Sequence, residues 1–330
     1  MKLSLLLASF LLSFPLAAHA DLDWPQIEAQ LKGAGLTGRI HGSVGERSLF
    51  VFTIRDPADF FSHYEFPLVA STPGIESKLS TLARHDRVIL KGHFLVSRAP
   101  IRHILVEGAT LDEKYESPIP AYSYRAKIPD ELKGRAEAVF RVHAIVAEGK
   151  AVVLEYKDAV IPVFFRSAAE TSTLFRGDRI RLRYVLRDHP PSPTHLAPDP
   201  SAEKAFEILS SVRSRHGQTA ALEGSLVLFP RSPQIVFDVF ALQEIAPEGT
   251  TLEYTLVNFE NPELFKKIRE KLSLGWNRAA SSAESGRNKL VNPLIRVHAQ
   301  GVLNVVDANQ ANPQILLSSP DDVTLEFLTP

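Results

Sequence analysis

The stretch LARHDRVILK at residues 82–91 recurs later in the chain as LFRGDRIRLR at residues 174–183. A shorter stretch, RIHG at residues 39–42, recurs ahead of the second copy as RVHA at residues 141–144. A chain that repeats its own motifs is built from copies of one structural unit. We therefore expect tandem modules of one kind, and the nature of the unit decides the fold.

Both copies contain the same order of predicted elements. Short apolar stretches bounded by turn residues predict three strands, then a short helix, then a further strand or two. The first copy is longer, and its extra residues fall at 56–65, between the second and third strands. The chain after residue 219 repeats this order, with a helix that is expected to begin at Asn261-Pro262-Glu263 and to end at Gly275.

The fourth strands carry a resemblance to a known fold. The stretches at 177–182, 85–92 and 294–303 resemble the fourth strand of an oligonucleotide/oligosaccharide-binding (OB) barrel, and residues 312–323 resemble its last hairpin and strand. The resemblance implies a mostly β protein of three tandem OB-like five-stranded barrels with short helices. It also implies a ligand face over strands two and three, bordered by the loops that join strands one to two and four to five. A small OB family is periplasmic in bacteria, so the resemblance extends to an exported bacterial type.

The predicted organisation has six parts. They are a signal peptide (1–20), an N-terminal helix (21–35), OB-like module one (36–118), module two (119–199), a linker helix (200–218) and module three (219–330). The linker helix is predicted because apolar residues at 202, 205, 206, 209 and 212 share one helical face. Module two is expected to be degenerate, because prolines crowd residues 190–200 where its fifth strand is wanted.

The first twenty residues predict export. Lys2 precedes an apolar run at 3–16, and Ala18-His19-Ala20 is a small-x-small cleavage site. We expect cleavage after Ala20, a periplasmic or secreted location and no transmembrane segment in the mature chain; a retained anchor is the alternative. The chain has no cysteine, so neither a disulfide nor a lipid-modified cysteine is expected. Its formal net charge of −1 gives no general attraction to nucleic acid.

Two groups of residues are candidate ligand contacts. In and beside the extra residues of module one, Phe60, Phe61, His63 and Tyr64 offer rings on which bases or sugars stack; the alternative is a loop packed on its own aromatics. The second group alternates along one strand of module two and so projects from one face, where it holds phosphate or carboxylate groups or is simply solvated. These residues are Arg179, Arg181 and Arg183.

No chemistry-bearing motif is specific enough to predict an enzyme. The repeated His41 and His143 indicate either a repeated ligand site or inherited packing, and their surroundings lack the spacing of a metal site. The Ser-x-x-Lys match at 201–204 lacks the further motifs that accompany it in known hydrolases. We expect no metal and no cofactor. The favoured function is non-enzymatic recognition of a partner protein or an envelope polymer, with single-stranded nucleic-acid binding and a hydrolase with an inter-module site as the alternatives.

Overall fold

The computed structural model describes residues 23–44, 49–55, 63–96, 102–119, 123–124, 128–146, 149–157, 159–187, 195–233, 235, 237–285, 289–305 and 312–329. The predicted signal peptide with its cleavage site, and the candidate residues Phe60 and Phe61, lie outside the described residues. The described chain is mostly β and forms three closed five-stranded barrels, which confirms the predicted fold class.

Barrel 1 follows a short helix, α1 (Trp24–Lys32), which Asp23 caps by accepting from the Gln26 N–H at 3.1 Å. The barrel consists of β1 (Leu36–Val44), β2 (Leu49–Arg55), β3 (His63–Ala70), helix α2 (Pro73–Ser80), β4 (Arg87–Phe94) and β5 (Ile104–Glu113). Its strands pair in the order β1-β2-β3-β5-β4, and β4 pairs back onto β1. This closed order is the one expected for an OB-like barrel.

Barrel 2 repeats this strand order. A two-residue strand, β6 (Ser123–Tyr124), pairs with β1 on the way to it. The barrel itself consists of β7 (Glu137–Val146), β8 (Ala151–Tyr156), β9 (Ala159–Phe164), β10 (Arg179–Arg187) and β11 (His195–Pro198). The expectation of a degenerate barrel is wrong, because β11 pairs with both β9 and β10 and closes the sheet. The strand has four residues, and its only proline, Pro198, is the last of them, so the prolines around it do not prevent the pairing.

The helix predicted over residues 200–218 is also wrong. The structure has a strand there, β12 (Phe206–Ser210), followed by a 3-10 turn at Arg213–Arg215. Since β11 pairs only with the second half of β10, the first half has an unpaired edge, and β12 pairs with it. Phe206 and Ile208 then pack against the core of barrel 2. Sheet pairing thus overrides a helical spacing of apolar residues.

Barrel 3 has the same order, with a longer helix and longer first and fourth strands. Its elements are β13 (Thr219–Phe229), β14 (Val239–Ile245), β15 (Thr251–Val257), helix α3 (Pro262–Arg278), β16 (Glu284–Ser285), β17 (Leu290–Asn304), β18 (Gln314–Leu316) and β19 (Val323–Phe327). The barrel closes through β17, which pairs with β13 and β18. The second strand begins at Val239, and Ile235 and Phe237 lie before it outside any strand.

Helix α3 continues past the glycine that was expected to end it. Gly275 is buried within the helix, and a Cβ placed there would lie 2.2 Å from Cδ1 of Leu325 on β19. This glycine therefore permits close packing of the helix on the barrel, and the helix ends three residues later. Each barrel has its own apolar core. Among the described helices, none has both the length and the hydropathy that spanning a membrane requires.

Candidate functional site

In barrels 1 and 2, the two repeated stretches of sequence, one on the first strand and one before the fourth strand, contact each other. In barrel 1, Nη1 of Arg39 donates to the carbonyl of His85 at 2.7 Å, and the His85 N–H donates to the carbonyl of Ile40 at 2.7 Å. In barrel 2, Nη1 of Arg141 donates to the carbonyl of Gly177 at 2.9 Å. The repeat therefore preserves a contact between the first strand and the turn before the fourth strand.

That turn needs a left-handed residue in both barrels. His85 has φ 71° and Gly177 has φ 93°. The side chain of His85 lies edge-on to the ring of Tyr115, with ring centroids 5.2 Å apart, and accepts from Nε of Arg84 at 3.3 Å. Burial, together with the charges of Arg84, His41 and Arg39, lowers the pKa of His85 from its ordinary 6.5 to about 3. This imidazole is therefore a neutral packing group rather than a proton carrier at neutral pH.

The buried aspartates of the repeat hold the segments that leave each barrel. Asp86 accepts from the N–H groups of Ala83 and Tyr115 at 2.8 and 2.9 Å and from Nζ of Lys114 at 3.0 Å. Burial alone raises its pKa, but these three donors hold the pKa below its ordinary value. The repeated aspartate thus fixes the chain just after β5, where barrel 1 ends.

Asp178 occupies the same position in barrel 2. It accepts from the N–H groups of Phe175 and Val212, at 2.8 and 2.9 Å. Burial raises the pKa of Asp178 above its ordinary value and outweighs the bonds from Phe175, Val212 and Ser211, which act to lower it. The residue fixes the chain just after β12, where barrel 3 is about to begin.

The repeated histidines lie at equivalent irregularities of the first strands. The pairing of β1 with β2 shifts register at His41, and that of β7 with β8 shifts at His143. His41 Nε2 lies 3.6 Å from Glu65 Oε1, and His143 Nδ1 lies 3.8 Å from Glu155 Oε2. Each side chain reaches a carboxylate on the outer side of strand two or three, which is the side that carries ligands in OB barrels.

The three candidate arginines of β10 all point outward, as the alternating pattern predicts, and all are paired with carboxylates. Arg179 donates through Nε and Nη2 to both carboxylate oxygens of Glu248, each at 2.8 Å. Nη1 of Arg181 donates to Glu207 at 2.7 Å, and Nε of Arg183 donates to Glu137 at 3.4 Å. Their charges are thus largely compensated within the protein, and Arg179 serves as a link to barrel 3.

The structure describes the side chain of Tyr64 and only the backbone of His63 among the candidates of module one. Tyr64 belongs to a cluster that closes one end of barrel 1, where its ring lies 6.3 Å edge-on from that of Trp24 on α1. Trp24 also contacts Phe66 and Phe94, and the guanidinium of Arg102 lies 4.3 Å from its ring centroid. Tyr64 therefore packs against the helix. The backbone of His63 begins β3, opposite Arg55.

Barrels 2 and 3 are joined through their strand-two and strand-three regions. Oε1 of Glu155 on β8 accepts from the N–H and the hydroxyl of Thr251, at 3.1 and 3.2 Å. Nε of Arg141 donates to the hydroxyl of Thr250 at 3.3 Å. A Cβ at Gly177 would lie 2.8 Å from Cδ1 of Leu252. These contacts place the Glu155 end of β8 against the β14–β15 hairpin, while Val153, Pro162 and Phe164 on the same outer face are partly exposed.

The corresponding outer face of barrel 3 is also covered. Ala241, Gln243 and Glu253 point away from the barrel core and are 0%, 6% and 7% exposed. Glu253 forms an ion pair with Lys289 and accepts from Nε2 of Gln243 at 3.1 Å. Burial opposes ionisation of Glu253, but Lys289 holds its pKa below the ordinary value. This face is consequently filled by the chain itself.

Barrel 1 leaves its outer face over β2 and β3 partly open. Val51, Pro67 and Val69 point away from the core and are partly exposed, and the pair of His41 and Glu65 lies among them with side chains 31% and 25% exposed. We call these five residues the barrel 1 face. It combines apolar surface with the paired His41 and Glu65, and the outward residues of β2 and β3 whose side chains the structure describes include no arginine or lysine. No group of three or more histidine and acidic residues suited to a metal ion occurs in the described part of the chain.

Comparisons with known proteins give no family. No protein-family model matches the chain, and no curated protein matches it. Among solved structures, it is similar to a murine DNA-binding protein bound with double-stranded DNA, at 13% identity over 54% of this chain and 99% of that chain, with a TM-score of 0.21. It is also similar to Drosophila Unr CSD456, at 11% identity over 89% of this chain and 98% of that chain, with a TM-score of 0.16. At these values the fold assignment depends on the strand order described above.

The sequence did not single out the barrel 1 face as a unit. His41 was noted because it recurs, but Glu65, Val51 and Val69 carry no motif. Their one signal is the alternation of apolar and partly exposed residues along β2 and β3, which shows which side chains face outward. Which parts of the three similar faces stay exposed depends on contacts between barrels, and these are not encoded in any local pattern.

Proposed function

We propose that this chain is an exported, non-enzymatic binding protein that recognises a partner protein or an envelope polymer through the barrel 1 face. The observation that carries the proposal is the contrast among the three barrels. OB barrels bind ligands over strands two and three, and this surface is covered by the chain's own residues in barrel 3 and contacts barrel 3 in barrel 2. In barrel 2 the contact lies at Glu155, and Val153, Pro162 and Phe164 stay partly exposed; in barrel 1 the equivalent surface is partly exposed at Val51, Pro67 and Val69 with the pair of His41 and Glu65 among them.

Polar contacts between the barrels hold the barrel 1 face in a fixed position relative to the rest of the protein. The two-point pair of Arg179 with Glu248 and the bonds of Glu155 to Thr251 hold barrels 2 and 3 together. The hydroxyl of Tyr115, at the end of barrel 1, donates to the carbonyl of Arg231 in barrel 3 at 2.7 Å. All three barrels are thus connected by specific polar contacts, and a preorganised surface loses less entropy on binding.

Single-stranded nucleic-acid binding is the main alternative, and the murine neighbour is described as bound with double-stranded DNA. Phosphate recognition depends on arginine and lysine that are free to replace counterions. The arginines of β10 are instead engaged by Glu248, Glu207 and Glu137, and among the side chains that the structure describes on the barrel 1 face only His41 is basic. The observations therefore favour a partner with apolar surface.

A hydrolase with an inter-module site requires carboxylates that converge on a substrate cleft. The carboxylates at the contact of barrels 2 and 3 form structural hydrogen bonds, since Glu155 accepts from Thr251 and Glu248 accepts from Arg179.

Export is proposed on the signal-like residues 1–20. Mass spectrometry of the protein recovered from the periplasm or the medium tests it, with a mature chain that begins at Asp21 as the expected result.

The binding proposal is tested with variants that place a charge on the barrel 1 face. Val51→Lys and Val69→Lys disturb the apolar surface, and Leu111→Lys is the control, because Leu111 is exposed on β5 of the same barrel. Cosedimentation with purified peptidoglycan tests polymer binding, and anisotropy of a labelled single-stranded oligonucleotide is measured at two salt concentrations. Loss of cosedimentation in the face variants alone supports a polymer partner. Tight oligonucleotide binding that weakens steeply with salt, unchanged in the face variants, would contradict the proposal.

A further inference from the structure

A cavity of about 450 Å³ lies beside barrel 3, away from the barrel 1 face. It is open to solvent on one side, and its walls come from the end of β13, the residues before β14, one side of α3, the start of β17 and the segment that follows barrel 1. Its lining residues are Pro118, Leu228, Pro230, Arg231, Phe237, Asp238, Arg269 and Leu290. The volume lies within the range of about 300–1,000 Å³ that is typical of small-molecule sites.

The cavity wall is held in place by bonds that do not involve its interior. The N–H of Arg231 donates to Oδ1 of Asp238 at 2.9 Å and closes the base of the loop. The carbonyl of Arg231 accepts from the hydroxyl of Tyr115 at 2.7 Å, which ties the loop to the segment after barrel 1. Residues 232 and 235 bond to each other in a tight turn. The cavity is therefore formed before any ligand enters.

Arg269 is the unusual member of the lining. Its guanidinium lies 4.6 Å from the ring centroid of Phe237 and 5.8 Å from that of Phe265, and these two rings meet edge-to-face at 6.2 Å. Its Nε is shielded from solvent and has no hydrogen-bond partner among the described residues. A shielded N–H without an acceptor is costly, by about 1–3 kcal/mol. Because Nε is closed to solvent, an acceptor on a ligand reaches it only when the guanidinium shifts toward the cavity, and that shift would remove the cost.

The charge and the lining define the ligand. Arg231 and Arg269 outnumber Asp238, so the cavity favours an anion. Leucine, proline and phenylalanine side chains make up most of its remaining wall, so the anion must carry an apolar body. A planar carboxylate matches the two parallel N–H groups that one edge of a guanidinium offers. We propose that this cavity binds a small carboxylic acid with an apolar or aromatic body, with Arg269 as the carboxylate-binding residue.

The test uses N-acetyl-L-phenylalanine as the acid and N-acetyl-L-phenylalaninamide as its uncharged match, titrated into the full chain and followed by NMR. We expect millimolar affinity for the acid, as is usual for a ligand of this size, and no measurable binding of the amide. Arg269→Gln should weaken binding of the acid at least about tenfold, and Arg269→Lys should recover only part of it, because a lysine cannot donate in parallel.

The same helix offers a matched control. Arg278 on α3 also lies over a ring, 5.5 Å from the centroid of Phe327, but it does not line the cavity. Arg278→Gln should leave the affinity for the acid unchanged. Phe237→Leu removes a ring from an exposed loop position, keeps the fold intact, and should weaken binding even if Arg269→Gln proves too unstable to measure.

Equal binding of the acid and the amide overturns the proposal, as does a full-length protein that binds neither. Phenyl phosphate is the competing anion, and tighter binding of phenyl phosphate than of the acid overturns the assignment of a carboxylate. These outcomes are independent of the barrel 1 face, because Val51→Lys and Val69→Lys leave the cavity untouched. The two proposals therefore fail or succeed separately.

Discussion

Arg179 of barrel 2 and Glu248 of barrel 3 form a two-point ion pair in which Nε and Nη2 each donate to a carboxylate oxygen at 2.8 Å. The side chains are only 30% and 18% exposed, so the pair is partly shielded from water. In barrel 1 the equivalent arginine, Arg87, instead pairs with Asp112 and Glu113 of its own barrel. The same position of the repeat has thus been used to join one barrel to the next.

This pair should contribute measurably to stability. We expect Arg179→Ala to lower the free energy of unfolding by about 1–3 kcal/mol, because it leaves Glu248 shielded without its partner. The matched control is Arg181→Ala, whose pair with Glu207 has both side chains more than 40% exposed and should matter by less than about 0.5 kcal/mol. Urea denaturation compares them, and equal losses would contradict the structural role of the link.

Gly177 should tolerate no side chain. Its φ of 93° is left-handed, and a Cβ there would meet Leu252 at 2.8 Å and Val212 at 3.0 Å. Gly134 is the control, because its φ of 78° is also left-handed but nothing lies within 4 Å of an added Cβ. Gly134→Ala should cost about 1 kcal/mol from backbone strain alone, and Gly177→Ala about 2–4 kcal/mol through additional crowding. Thermal unfolding distinguishes them; similar losses would show that barrels 2 and 3 do not pack closely at this glycine.

The stability of barrel 1 should depend on pH through His85. The pKa of His85 is lowered from 6.5 to about 3 on folding, so the unfolded chain binds the proton more readily. Stability is therefore fully present above pH 6.5 and is lost as pH falls from 6.5 toward 3. Because the ring is only half-buried, we expect a loss of about 1–2 kcal/mol between pH 6.5 and pH 4.

The variant that checks this is His85→Asn, since asparagine tolerates a left-handed backbone. Urea denaturation at several pH values should show a smaller loss of stability on acidification in the variant than in the parent chain. The comparison cancels contributions from all other titrating groups. An unchanged pH dependence would show that the imidazole is not held neutral by its surroundings.

The pKa values of the two repeated aspartates should be shifted in opposite directions from the ordinary value. Asp86 is lowered by its donors, including Lys114, and Asp178 is raised by burial. The contribution of Asp86 to stability is thus present above its unfolded pKa and lost as pH falls, whereas that of Asp178 is present at low pH and lost as pH rises. NMR titration of the carboxyl carbons should give Asp86 a lower pKa than Asp178, and Lys114→Met should bring the two pKa values closer. The reverse order would contradict the assigned causes.

Much of the architecture was predictable because it is repeated. The turn and strand around residues 82–91 and 174–183 recur, and both copies form the same contact with the first strand. The prediction of a helix over residues 200–218 was wrong because apolar spacing is a local signal, while pairing of β12 with β10 depends on an edge that β11 leaves uncovered.

The site was less predictable for the same reason. The alternation of Arg179, Arg181 and Arg183 correctly predicted a shared outward face, but nothing near them in the sequence points to Glu248 as a partner. Phe237 carries no motif in the sequence, and the structure places it outside any strand, where it lines the cavity. Contacts between barrels, rather than patterns within them, decide which surfaces remain open.

The measurement that tests the central claim most directly is site-specific photocrosslinking in the producing cell. A photoreactive side chain is placed at Val69 on the barrel 1 face and, in a parallel strain, at Leu111 on the same barrel outside that face. The account predicts a discrete crosslinked product, of a protein or of envelope polymer, from position 69 that is absent from position 111 and is reduced by Val51→Lys. Equal products from both positions, or crosslinking to nucleic acid, would contradict it.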